Sequence, residues 1–191
     1  MDLRLNGRTA FVAGATGGLG LACARALAAE GVRVAVVGRR EQRAKEVADE
    51  IGSGAIAVTA DLADPDSRAA AISVVRAEFG QVDILILNGG GPPPGSATDL
   101  SASDAEAAVA SLVLPHVDLV RAFLPAMTER RWGRIIAVGS SGVQQPIARL
   151  AASNLGRAAL AGYLKTLAGE VAADGVTVNM VLPGRIDTDR V

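Results

Sequence analysis

The sequence predicts a three-layer α/β domain, a parallel β-sheet with helices on both faces. Three observations carry that prediction. Short runs rich in β-formers alternate with longer helical patterns from one end of the chain to the other, as right-handed βαβ units require. Half of the 191 residues are apolar, enough for one sizeable core without disulfides or metal. Turn and capping residues fall where that alternation places the boundaries.

Strands are expected at 9–13, 33–37, 55–59, 84–87, 134–138 and 177–181, and helices at 19–30, 41–51, 65–79, 101–131 and 150–173. Asp64 followed by Pro65 supplies an N-cap and a proline at the first helical position. Gly31, Gly52, Gly80 and Gly175 each follow a helical run, where a left-handed residue ends a helix. The run from Gly89 to Gly95, three glycines, three prolines and a glycine, fits neither helix nor strand and is a loop. Pro115 interrupts the longest helical region, so a helix restarts or bends near it. No repeat or flexible linker divides the chain, and residues 1–191 are expected to form a single domain.

Nineteen Lys and Arg stand against twenty Asp and Glu with no basic block, so neither nucleic acid nor an anionic membrane is an expected partner. Met1 to Arg8 lack the apolar core of a signal peptide. The uncharged stretch 9–24 divides by its glycines and its change of period into strand, turn and helix, and no transmembrane segment is expected. Cys23, the only cysteine, lies in an apolar helical pattern, which reads as a buried inert thiol and fits a reducing cytoplasm. No metal site is expected.

The first strand leads into Ala13-Gly14-Ala15-Thr16-Gly17-Gly18-Leu19-Gly20 and then an alanine-rich helix. Glycines in such a turn let a backbone approach a pyrophosphate, which the N–H groups and dipole of the helix start then hold. A second strand ends about 20 residues later, where a ribose-reading residue belongs. Gly38-Arg39-Arg40 offers no acid for a ribose 2′-hydroxyl there and two guanidinium groups for a 2′-phosphate, so NADP is favoured over NAD.

The spacing Gly-x-x-x-Gly-x-Gly resembles that of the classical short-chain dehydrogenase/reductase family, and further matches follow in order along nearly the whole chain. Asp61-Leu62 follows the third strand, where the family holds adenine; Asn88-Gly89-Gly90 follows the fourth; Ser140 follows the fifth; Pro183-Gly184 follows the sixth, with Ile186 and Thr188 beyond. The resemblance implies a Rossmann-like doubly wound sheet in order 3-2-1-4-5-6, with Gly14, Thr16, Gly17, Gly18, Leu19 and Gly20 around the cofactor. The family continues through a helical loop, a helix and a final strand absent from these 191 residues, so an open edge at 177–181 and an incomplete pocket are expected.

In that family a Tyr protonates the reduced carbonyl oxygen, a Lys four residues later lowers its pKa and holds the ribose, a Ser steadies the carbonyl, and an Asn completes a water relay. Here Ser140 keeps the Ser role, the Tyr and Lys positions are Ser153 and Arg157, and Leu112 occupies the Asn position. The motif matches a branch similar to 3-oxoacyl-[acyl-carrier-protein] reductases with an imperfect tetrad. Arg157 can hold a ribose hydroxyl and stabilise negative charge but cannot relay a proton. Tyr163 lies about 15 Å along the same helix and reads as packing or interface. His116, the only histidine, reads as structural or exposed, with a surrogate acid as the alternative. Gln144, Gln145 and Arg149 are expected to border a substrate pocket, Asn154 to add a hydrogen bond, and Trp132 to anchor packing. Two functions follow: an NADP-dependent oxidoreductase acting on a small carbonyl or alcohol through Ser140, Ser153 and Arg157, or a dinucleotide-binding protein without turnover. Alanine- and leucine-rich helices at 101–131 and 150–173 suit pairing into a homodimer or homotetramer.

Overall fold

The computed structural model describes residues 2–187. Six strands, β1 (Thr9–Ala13), β2 (Arg33–Gly38), β3 (Ile56–Thr59), β4 (Ile84–Leu87), β5 (Gly133–Val138) and β6 (Val176–Val181), form one sheet in the order β3-β2-β1-β4-β5-β6. Every pairing is parallel. Helices α1 (Gly18–Ala29), α2 (Glu41–Ile51), α3 (Pro65–Phe79), α4 (Ala102–Leu112), α5 (Leu114–Glu129) and α6 (Ala151–Val171) cover its two faces.

The period-2 alternation of a strand divides β1 between two cores. Phe11 and Ala13 join Leu85, Leu87, Ile135, Phe123 and Leu164 on one face. Ala10 and Val12 join Ile84, Ile86, Ala24, Ala44 and Val47 on the other. Strands buried on both faces are apolar nearly throughout, which suits a sheet between two helical layers. Complete burial of Phe11 or Leu85 contributes about 1.5–3 kcal/mol each.

The expected caps are present. The Asp64 carboxylate accepts from the N–H groups of Asp66 and Ser67, and Gly31, Gly52, Gly80 and Gly175 all have positive φ. The helical region after Ser101 breaks at Val113, two residues ahead of Pro115. Pro115 has no N–H to bond back into α4, so the interruption falls N-terminal to it and the proline is taken into the first turn of α5. The last helix ends at Val171, with one 3₁₀ turn replacing the expected extension to 173. By length and composition alone, residues 102–129 would suffice to cross a membrane, at mean hydropathy 1.6. In the fold they are two helices: Leu119, Phe123 and Met127 are buried in the core against the sheet, and Leu112 is buried against Gly156 of α6.

The N-terminal ends of the strands are closed by ion pairs. Asp83, 2% exposed, accepts from the backbone N–H of Thr9 and meets Arg8 and Arg130. The guanidinium groups of Arg8 and Arg134 both lie over the ring of Trp132, the packing anchor expected of it. The C-terminal strand ends are left open.

Candidate functional site

At those C-terminal ends lies an open cleft of about 1190 Å³. That exceeds the roughly 300–1,000 Å³ of a drug-sized pocket and leaves room for a dinucleotide beside a substrate. Its floor is the turn between β1 and α1. Gly14 and Gly18 hold positive φ there, and α1 begins with no side-chain cap, so its first N–H groups face the cleft without an internal acceptor. A methyl on Gly20 would lie 2.1 Å from the Gly14 carbonyl oxygen, and one on Gly14 would lie 2.7 Å from Asn88 Nδ2. The Asn88 amide fills the space these glycines leave and donates to the Ala13 carbonyl at 3.2 Å. Asn88 therefore braces the turn, while Gly89 and Gly90 beside it border the cleft, and a methyl on either would meet nothing within 4 Å.

Gly38 serves the same turn. A side chain there would meet Thr16 Cγ2 at 2.5 Å, so glycine at the end of β2 is a packing requirement as well as the absence of an acid. Arg40 donates to the Thr16 carbonyl at 3.2 Å and is fastened over the glycine turn. Arg39 borders the cleft, exposed and, among the described residues, without a side-chain hydrogen bond or ion pair. Leu19, Asp61 and Leu62 line the same region. The buried Arg68 holds the Leu62 carbonyl from behind while its other nitrogens grip Asp118. An uncapped helix start, a cradle that only glycine fits and an unpaired guanidinium where a ribose phosphate would lie together suit a phosphorylated dinucleotide.

Ser140, Ser153 and Arg157 come together at the junction of β5 and α6; none of the three lines the cleft, whose nearest lining residue in sequence is Ala152. Ser140 Oγ accepts from the Gly142 N–H at 3.1 Å. Arg157 Nε donates to Ser153 Oγ at 3.3 Å, and its Nη1 donates to the carbonyls of Val138 and Gly139 at 3.1 and 3.0 Å. The guanidinium thus fastens α6 to the end of β5, a role the sequence reading did not contain. The Pro183 carbonyl accepts from the Ser141 N–H and brings Pro183 and Gly184 next to Ser140. Ile186 is exposed nearby in sequence, and Thr188 lies outside the described residues.

The wall of the cleft at the start of α6 was not foreseen. The loop from Gly89 to Gly95 is held to the start of α6 by a parallel bridge of Gly95 with Leu150. The Gly95 N–H donates to Arg149 and the Ala151 N–H donates to Gly95. Arg149 and Ala152 border the cleft from one side, and Ser111, Pro115 and His116 from another. Gln144 and Gln145 do not border it, contrary to expectation; they are exposed in the turn after Ser140. Asn154 makes its hydrogen bonds to the backbone of Ile147, closing that turn. Leu112 is 3% exposed and packed on Gly156, where a methyl would meet Leu112 Cδ1 at 2.7 Å. Tyr163 packs against the core, with its hydroxyl pushed up chiefly by burial, and Cys23 is a half-buried thiol pushed up by the same cause. Among the described residues no cluster of side chains suits a metal ion.

His116 departs furthest from its sequence reading. It is 6% exposed, borders the cleft, and has a buried Nδ1 without a hydrogen-bond partner among the described residues. Burial first, and the positive charge of Arg157 second, push the imidazole down to about 4, so the ring is neutral near pH 7. Sequence alone could not place it: the break at Val113 sets how α5 presents its first turn.

Comparison with known proteins agrees with this geometry. Residues 8–191 match a family model described as short chain dehydrogenase. The chain is 34% identical over 187 residues to the 3-oxoacyl-[acyl-carrier-protein] reductase FabG of Salmonella typhimurium, spanning 98% of this chain and 77% of that protein. The L-sorbose reductase of Gluconobacter frateurii, solved with NADPH and L-sorbose, superposes with a TM-score of 0.93 at 32% identity, covering 100% of this chain and 74% of that one. The 3-ketoacyl-(acyl-carrier-protein) reductase of Brucella melitensis, solved with NADH, gives a TM-score of 0.89 at 30% identity, covering 97% and 78%.

Proposed function

The chain belongs to the short-chain dehydrogenase family, and from that premise we propose that residues 1–191 form one NADP(H)-binding domain of a cytoplasmic oxidoreductase acting on a small carbonyl or alcohol. One observation carries the cofactor choice: two guanidinium groups and no acid at the end of β2, beside an uncapped helix start. Gly14, Thr16, Gly17, Gly18, Leu19 and Gly20 would hold the pyrophosphate, Asp61 and Leu62 the adenine, and Arg39 with Arg40 the 2′-phosphate. When bound, the reduced nicotinamide supplies a hydride to a carbonyl carbon. Ser140 and Ser153 present hydroxyls towards the substrate oxygen, and Arg157 fixes their relative position through the end of β5.

NADPH is expected to bind more tightly than NADH, and Arg39→Asp to narrow or reverse the preference. Loss of one charge-assisted phosphate pair costs about 1.5–3 kcal/mol, or roughly 10- to 150-fold in Kd. Equal affinities for the two cofactors by calorimetry, unchanged in the variant, would remove the argument. The second reading, a dinucleotide-binding protein without turnover, is favoured by the engagement of Arg157 with the Val138 and Gly139 carbonyls at the end of β5, a structural use of the position. Transfer from deuterated NADPH to any member of a carbonyl panel separates the two readings.

Pairing of two copies through α4, α5 and α6 would cover apolar side chains such as Leu114 and Leu155, which are exposed in a single chain. Light scattering is expected to give a dimer or tetramer, and monomer alone at micromolar concentration would count against it.

A further inference from the structure

The cleft contains a group that the proposed chemistry has not used. Of the titratable side chains that border it, Asp99 and Asp104 are bound to Ser96 and Ser101. Asp61 accepts from its own turn. The arginines are permanently protonated. Among the described residues, His116 remains: nine-tenths buried, on the cleft wall, with an unpartnered ring nitrogen and Arg157 close enough to act on its charge. Neither Ser153 nor Arg157 can deliver a proton as a cation-lowered phenol does, because a serine hydroxyl is far less acidic and a guanidinium does not release its proton.

We propose that His116 is the proton donor of this site, an imidazole on the cleft wall doing the work that a phenol beside an ammonium does elsewhere in the family. The inference rests on the oxidoreductase reading above. Arg157 supplies the electrostatic reason. A fixed positive charge opposes a second proton on the imidazole and favours release of the one it carries, since it stabilises the anion that remains. A carbonyl that gains a hydride at carbon, with its electron pair, gathers negative charge at oxygen as the carbon–oxygen π pair moves there. The His116 N–H bond breaks towards that oxygen and an O–H bond forms. The imidazolate, stabilised by the charge of Arg157, takes a proton from cleft water and the hydroxide so formed is neutralised by a proton from bulk solvent, so the overall change is carbonyl, reduced nicotinamide and one proton to alcohol and oxidised nicotinamide. The break at Val113 makes the placement possible, because it starts α5 afresh and sets His116 in its first turn.

Because His116 is the only histidine, its ring nitrogens can be followed by heteronuclear NMR without ambiguity. Addition of NADPH and then acetamide, an unreactive carbonyl probe, is expected to shift a ring N–H in the direction of stronger hydrogen bonding. No response to acetamide overturns the proposal whatever the activity. In turnover, His116→Phe is expected to lower kcat by about 10²–10⁴-fold while the NADPH Kd stays within about twofold. His116→Gln, which can donate a hydrogen bond but not transfer a proton, guards against a misfolded phenylalanine variant and is expected to lose at least about tenfold in kcat. A folded variant of either kind with kcat near wild type overturns the role of His116 alone. A wild-type protein that transfers no deuteride to any carbonyl overturns the oxidoreductase reading itself, and the inference with it.

Discussion

Gly20→Ala is expected to abolish measurable dinucleotide binding and lower the melting temperature, while Gly89→Ala leaves both close to wild type. The added methyl would sit 2.1 Å from the Gly14 carbonyl oxygen and 2.7 Å from its carbon. Both neighbours are backbone, so no side chain can swing aside and the turn itself must move. Overpacking of this kind costs about 1–3 kcal/mol, which for a chain of this length is roughly 2–12 °C in Tm. Binding suffers more. The displaced turn carries the uncapped N–H groups at the head of α1. Losing two charge-assisted hydrogen bonds at about 1.5–3 kcal/mol each weakens Kd by roughly 10²–10⁴-fold. A methyl on Gly89 would meet nothing within 4 Å and φ there is not positive, so it is accommodated. Calorimetry with NADPH checks both variants, and wild-type affinity in Gly20→Ala would show that the phosphates rest elsewhere.

Restoring the family's usual residues by Ser153→Tyr, Arg157→Lys and Leu112→Asn together is expected to unfold much of the protein before it can report on chemistry. Leu112 is buried at the α4–α6 contact and packs directly on Gly156. Removing such a side chain costs about 2–5 kcal/mol, and the buried amide adds to that unless it finds partners. Against a typical total stability of about 5–15 kcal/mol this is severe. Leu112→Asn alone should therefore lower Tm by roughly 4–20 °C, whereas Leu112→Met should stay near wild type. A melting scan with the Asn variant within about 2 °C of wild type would refute this packing account. The double variant Ser153→Tyr with Arg157→Lys keeps Leu112 and is the cleaner catalytic test. It is expected to lower kcat, because a lysine ammonium cannot reach the Val138 and Gly139 carbonyls and Ser153's position together as the guanidinium does. A rise in kcat would mean that the native pair is a weakened form of Tyr and Lys.

The sheet was legible because its signals are local. Apolar runs between turn residues located all six strands to within a residue at either end, and the turn after β1 carried the strand order through the family resemblance. Individual roles were less legible wherever two distant segments meet. Gly38 shows in sequence only that an acid is missing, and the contact with Thr16 that also requires glycine belongs to a neighbouring turn. Asn88 reads as a motif position, whereas its amide acts by filling the gap beside Gly14 and Gly20. The burial of His116 depends on where a proline displaces a helix break, and the attachment of the glycine- and proline-rich loop to α6 leaves no periodic trace at all.

That attachment bears on the entropy of recognition. Pro92, Pro93 and Pro94 have fixed φ, and the two hydrogen bonds at Gly95 hold the end of their loop to the start of α6. A segment that in other circumstances would be a flexible flap has therefore lost its conformational freedom during folding. A ligand meeting this wall does not have to order it, so the contacts made there count towards affinity with little offset from immobilisation. The same rigidity limits tolerance: a wall that relaxes little around a bulkier ligand excludes it by shape, most strongly at the proline run and the attachment at Gly95.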